Sequence, residues 1–225
     1  MLHRLPLFPL GSVLFPGLPL PLHIFEQRYR RLVSDLLDAP SDTPRHFGVV
    51  GIELGHEVGE RSAQRLFEVG CTAEIRTSRL RGDGRYDLVV EGGRRFRIDE
   101  LLPPDDSFPY LRASTTPLPD EDGPGAGEQV DVVARLFGRY CERLTGIGIP
   151  ADPPADFPTA PLPVSYAVSA AIIVDPDEKQ GLLEADHAAA RLERAAALLR
   201  RENRVLASLP TLPAGQFLRQ EINLN

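Results

Sequence analysis

One lysine, Lys179, stands among 25 cationic residues, so a serine–lysine nucleophile pair could be assembled at only one place in the chain. Ser165 and Ser169 are the hydroxyls near it in sequence. Such a pair works when burial keeps the amine neutral and able to take the serine proton. Asp177 and Glu178 flank Lys179 in what reads as a solvated helix start, an environment that keeps an amine charged. No nucleophile is therefore expected there. Cys71 falls at an inward strand position and Cys141 on an amphipathic helix, where buried thiols are inert. Two cysteines are too few for a disulfide scaffold and fit a reducing compartment.

Metal and nucleotide chemistry also lack their residues. His3, His23, His46, His56 and His187 are scattered, and neither cysteine has a C-x-x-C partner, so no metal and no cofactor are expected. His23, within "LPLHIF", is expected at a sheet edge or in the core with its ring satisfied. Lys179 is not preceded by the glycine pattern of a P-loop. "GIGIPA" (146–151) imitates a dinucleotide fingerprint but follows a helix rather than a strand.

Charge narrows the partners. The net charge is −7, and neither half is basic: residues 1–119 carry 15 arginines against 16 acids, and residues 120–225 carry 10 cations against 16 acids. A general binder of phosphate backbones needs a cationic surface, so nucleic acid is disfavoured. One basic cluster stands out, with Arg76, Arg79, Arg81, Arg85, Arg94, Arg95 and Arg97 set against Asp83, Asp87 and Glu91. It reads as a solvated hairpin face with locally paired arginines.

The elements that would position these groups follow from periodicity. Leu5, Leu7, Leu18, Leu20 and Leu22 alternate between prolines, giving two extended segments, about 4–9 and 18–24, joined at Phe15-Pro16-Gly17. Proline lacks an N–H, so both are expected at the margin of a sheet or barrel. A helix follows, with Phe25, Tyr29, Leu32, Val33, Leu36 and Leu37 on one face and Gln27, Arg28, Arg30 and Arg31 toward water. "FGVVGI" (47–52) is a buried strand. Residues 71–98 form a hairpin around "RGDGR", with Gly92-Gly93 as a turn or bulge, and "YLRASTTPL" (110–118) is a closing strand. After "PDEDGPGAG" (119–127), four helical stretches are expected: one through Val133–Leu144, one over 164–174, a short one around "DEKQGLLEA", and a long one capped by Asp186. The apolar core of a secretory leader would be broken by prolines at 6, 9, 16, 19 and 21, and no apolar run reaches the length of a membrane span, so a cytoplasmic protein is expected.

Four segments, "LPLFPLGSVLFPGLPLPLHIFEQRYRRLVSDLL", "FGVVGI", "DLVVEGGRRFRI" and "DEKQGLLEADHAAARLERAAALL", occur in an order and spacing that carry a resemblance. The chain resembles the N-terminal substrate-binding domain of the ATP-dependent Lon proteases, in its stand-alone bacterial form, over nearly its whole length. That implies an α+β fold: a PUA-like mixed β-barrel with one early helix, then a C-terminal helical bundle of about four helices. The corresponding division is a barrel unit at 1–119, a linker at 120–127, a bundle at 128–209 and a tail at 210–225.

The resemblance implies a non-catalytic polypeptide-binding module for unfolded or partner protein segments, linked to ATP-dependent proteolysis and protein quality control. Its partners would be unfolded polypeptides or a protease. The ATPase and Ser–Lys peptidase modules of full-length Lon are not expected here, so recognition carries over and hydrolysis does not. The contact is placed at Leu14 and Phe15 in the turn and at Gln27, Arg28 and Arg31 at the start of the first helix, gated by residues 145–163. A second reading, RNA binding through the barrel, draws on the arginine hairpin and is opposed by the acidic charge.

Overall fold

Alternating leucine and proline decide the first two strands. In the computed structural model, which describes residues 4–40, 45–55, 63–151 and 157–208, Leu5–Leu10 is strand β1 and Pro19–Ile24 is β2. Leu5, Leu7, Leu22 and Ile24 turn inward, while Pro19, Pro21 and His23 stay exposed. Helix α1 (Gln27–Leu37) follows, burying Tyr29, Leu32 and Val33. Phe25 does not belong to its apolar face, as the helical period suggested. The chain is still extended at Glu26 (φ −68°, ψ 137°), so Phe25 continues the outward parity of β2 and is 45% exposed.

Four further strands, β3 (His46–Gly55), β4 (Ala63–Leu80), β5 (Tyr86–Leu102) and β6 (Arg112–Pro117), complete a mixed sheet of order β2-β5-β4-β3-β1-β6. The length of β5 lets it serve two partners: Tyr86–Glu91 pairs with β2 and Phe96–Leu102 with β6. Strand pairing thus returns from β6 to β5. The expected hairpin is present, closed by hydrogen bonds between Arg81 and Arg85 and from Gly84 to Arg81.

β2 is an edge strand and β1 is not. β1 runs between β3, parallel, and β6, antiparallel. Its prolines survive because each missing N–H falls where no ladder partner is present. Pro6 precedes the pairing with β3, which begins at Leu7. Leu7 donates toward β6, to the carbonyl of Leu111, and Pro9, of the same parity, lies past the end of that pairing.

At Gly92-Gly93 the structure has a bulge and no turn. Cys71 faces Arg95 while Ala73 faces Gly92, so β5 carries one residue more than β4 across this interval. The Phe15–Leu18 turn is clipped onto the bulge: Gly17 donates to the carbonyl of Gly92, and Gly92 donates to that of Leu18. Only glycine fits, since a Cβ at residue 92 would lie 2.1 Å from the carbonyl oxygen of Phe15.

Helices α2 (Ala126–Gly146), α3 (Pro161–Ala171), α4 (Pro176–Leu183) and α5 (Ala188–Ser208) follow. α3 begins earlier than the apolar run suggested because its prolines occupy the first turn, where no intrahelical donor is needed. The start of α5 is capped differently from expectation. Ala188 and Ala189 donate to the carbonyls of Glu121 and Asp122, and Ala190 donates to Nδ1 of His187 at 3.1 Å, whereas Asp186 is exposed. The segment expected as a linker therefore supplies part of a helix cap. Phe15 and Val69 join the apolar cluster of the four helices, while Leu14 packs in that of the sheet.

Candidate functional site

Lys179 is not the solvated residue its neighbours implied. Its Nζ donates to the carbonyls of Ser169, at 2.6 Å, and Ala170 at the C-terminus of α3, and lies 6.0 Å from the centre of the Phe15 ring. Burial pushes its pKa down to about 8. The amine is committed to backbone oxygens at a helix end, a capping arrangement. The neighbouring hydroxyls are held separately. Ser165 Oγ donates to the Leu162 carbonyl and accepts from Arg191, and Ser169 Oγ has no hydrogen-bond partner among the described residues. Cys71 and Cys141 are buried, and burial pushes the Cys71 thiol up to about 12. No group of His, Cys, Asp and Glu among the described residues could hold a metal ion.

The arginine hairpin divides into two kinds of residue. Arg76 pairs with Glu91 at 3.0 Å, Arg81 with Asp87 at 2.7 Å and Arg85 with Asp83 at 3.3 Å, the local pairing anticipated. Arg95 departs from it. The bulge turns Arg95 inward beside Phe96, leaving it 1% exposed. Its guanidinium donates to the Asp120 carboxylate at 3.0 Å and to the carbonyls of Pro119, Leu183 and Ala185 at 2.6, 2.9 and 2.7 Å. Arg191 of α5, also fully buried, donates to the carbonyls of Leu182 and Ala185. It lies 4.2 Å over the ring of Tyr166. These cations bind this chain's own helices and are withdrawn from any nucleic-acid surface.

Exposed apolar side chains gather on the outer face of β2 and β5. Gly92 donates to the Leu18 carbonyl, so the even-numbered residues of β2 direct their backbone groups at β5 and Pro19 and Pro21 face the free edge. That edge has few donors and cannot readily template a foreign strand. The same alternation sends the side chains of Pro19, Pro21, His23 and Phe25 outward. Pro21 is in register with Val89, itself 39% exposed. His23 donates or accepts at Nδ1 with Asp87 at 2.8 Å and stacks on Phe25, ring centres 6.2 Å apart. The result is a row of exposed apolar side chains, Pro19, Pro21, Val89 and Phe25, crossed by the His23–Asp87 pair between Val89 and Phe25 and leading to the first turn of α1.

Of the residues assigned to binding from sequence, three sit at that turn. Gln27 is exposed beside Phe25. Arg28 is half-buried, paired with Glu26 at 2.9 Å and 4.6 Å over the ring of Tyr29. Arg31 is exposed and paired with Asp35 at 2.7 Å. Leu14 and Phe15 are 4% and 1% exposed and form core, supporting the surface from beneath instead of offering contact. In the expected gate, Phe157 stacks on Phe137 at 5.7 Å, and residues 152–156 lie outside the described residues. The leucine periodicity could have revealed the missed residues Pro19, Pro21, Phe25 and Val89, because the parity that turns leucines in turns these out.

Comparison with known proteins places this geometry in context. A family model of the ATP-dependent protease La (LON) substrate-binding domain matches residues 4–201. Lon protease 2 of Myxococcus xanthus is 29% identical over 211 residues, covering 90% of this chain and 24% of that protein. A Lon protease of Methylocella silvestris is 30% identical over 208 residues, covering 87% of this chain and 24% of its own. The chain thus spans about a quarter of the length of these relatives. The fold is that of solved Lon N-terminal domains. A Lon N-terminal domain protein from Xanthomonas campestris superposes with a TM-score of 0.57 at 24% identity, over 92% of this chain and 99% of that one. The N-terminal domain of a Mycobacterium avium complex Lon protease gives 0.63 at 16% identity, over 88% and 98%.

Proposed function

Because the chain belongs to the LON substrate-binding domain family, we propose that it is a non-catalytic module holding apolar polypeptide segments against the outer face of β2 and β5. The observation that carries this reading is the exposed row of Pro19, Pro21, Val89 and Phe25 on a proline-blocked edge strand. Strand addition is disfavoured there, so recognition works by side-chain packing onto the face. Gln27 and Arg31 supply polar contacts at one end of the row. The closed circuit of strand pairing supports the PUA-like barrel, and α2–α5 the helical bundle, that the resemblance implies. Clients of this kind, unfolded or partner segments in the cytoplasm, link the module to Lon-type proteolysis.

Fluorescence anisotropy with a labelled, permanently unfolded polypeptide tests it. Covering the exposed part of Phe25 is worth about 2 kcal/mol, so Phe25→Ala is expected to weaken binding by more than tenfold, and Val89→Asp likewise. Absence of binding at high micromolar concentration, or binding indifferent to both substitutions, overturns the proposal.

A further inference from the structure

A second recognition surface lies on the helices. α2 and α5 enclose a groove of about 350 Å³ lined by Arg139, Arg143, Arg200 and Arg204 together with Leu136, with no carboxylate in its lining among the described residues. In a chain of net charge −7 this is a local reversal of sign. Arg139, Arg200 and Arg204 are exposed, and no ion pair holds them among the described residues, in contrast to Arg201 on the same helix, which pairs with Glu178 and Glu202. Arg143 is half-buried and donates to the backbone carbonyl of Asn203. Cations gathered without a counterion repel one another, and an anion entering the groove relieves that repulsion.

Asn203 adds the detail that distinguishes among anions. It is 6% exposed, its amide nitrogen donates to the Leu136 carbonyl at 3.0 Å, and its Oδ1 has no hydrogen-bond partner among the described residues. A buried acceptor left open calls for a donor. A peptide offers both complements, carboxylates for the guanidiniums and a backbone N–H for Asn203 Oδ1. A fully ionised phosphate oxygen carries no hydrogen to donate to that oxygen.

We infer that the α2–α5 groove binds an acidic segment of a partner polypeptide, with its carboxylates on Arg139, Arg143, Arg200 and Arg204 and one backbone N–H on Asn203. Forked guanidinium–carboxylate pairs provide the selectivity for side chains of this type. The groove is separate from the β2–β5 face and uses opposite chemistry.

The test is anisotropy with a short labelled Asp/Glu-rich peptide, its Asn/Gln counterpart, inorganic polyphosphate and single-stranded RNA, each titrated at two salt concentrations. The acidic peptide is expected to bind, to weaken with salt, and to lose about tenfold or more in the double variant Arg139→Glu/Arg204→Glu. Both positions are exposed, so the fold is expected to persist, which circular dichroism checks. Phe25→Ala leaves this binding unchanged, so failure at this groove and failure at the β2–β5 face are told apart. Equal binding of the Asn/Gln peptide, indifference to the double substitution, or tighter binding of polyphosphate or RNA than of the acidic peptide overturns the inference.

Discussion

Arg95→Met removes the guanidinium while keeping most of its length and apolar volume. In the native chain that group makes hydrogen bonds to one carboxylate and three backbone carbonyls and is 1% exposed. Hydrogen bonds from a charged donor contribute roughly 1.5–3 kcal/mol each after desolvation, and bonds that share one guanidinium add to less than their sum. Met at this position leaves backbone carbonyls without that donor, while Asp120, itself exposed, can turn to water, so a net loss of about 3–5 kcal/mol is expected. The figure is a large share of a stability of about 5–15 kcal/mol. Asp120→Asn leaves the three carbonyl contacts in place and should cost no more than about 1–2 kcal/mol. Urea denaturation followed by circular dichroism measures both. If Arg95→Met costs under about 1 kcal/mol, or if Asp120→Asn costs as much as Arg95→Met, the guanidinium does not tie β5 to the helices as argued.

Stability should rise between about pH 8 and 9, because Lys179 loses its proton near 8 in the folded chain and near its ordinary 10.5 when unfolded, so the unfolded state binds more protons over that interval. Cys71 opposes this above pH 9, where the unfolded thiol ionises and the folded one does not. Tyr29, raised by burial to about 12, adds to the loss above pH 10. Chemical denaturation at half-unit pH steps reads the profile, and Lys179→Met should flatten the rise. Gly92→Ala should destabilise by about 2–3 kcal/mol through collision with the Phe15 carbonyl; a change within the scatter of repeated thermal melts would show that the turn gives way freely. Cys71, 0% exposed, should resist thiol reagents in native buffer and react on unfolding, as mass spectrometry of the alkylated protein will report.

Features set by local period are legible in the sequence. The leucine parity of the first two strands, the helical face through Tyr29, Leu32 and Val33, and the Arg81–Arg85 turn each depend on neighbours a few residues away. The sequence misleads on Arg95 and Lys179 because what decides them is distant or geometrical. Arg95 is bonded to carbonyls 88 and 90 residues further along, and alternation alone sends it outward. The one-residue bulge at Gly92-Gly93 reverses that assignment. Lys179 lies between two acids in sequence but turns back to the end of α3, which a composition-based reading of a helix start does not see. The proposed binding face is half legible in the sequence. Gln27, Arg28 and Arg31 follow from the helical period, while Phe25 is assigned to the helix because the period alone starts it two residues early.

The bulge links the two halves of the molecule more closely than their composition suggests. On its N-terminal side β5 pairs with β2 and presents Val89 beside Pro21 on the apolar face. At its centre Gly92 grips the Phe15–Leu18 turn, whose Phe15 ring enters the helical core next to Tyr166. Immediately beyond, Arg95 reaches the carbonyls that end α4 and precede α5. A side chain displaced at any of these points shifts the same short stretch of β5, because close-packed cores transmit displacement over the next contacts. The position of the apolar face is therefore fixed from behind by the helices, through Phe15 and Arg95, although neither residue is exposed to a ligand.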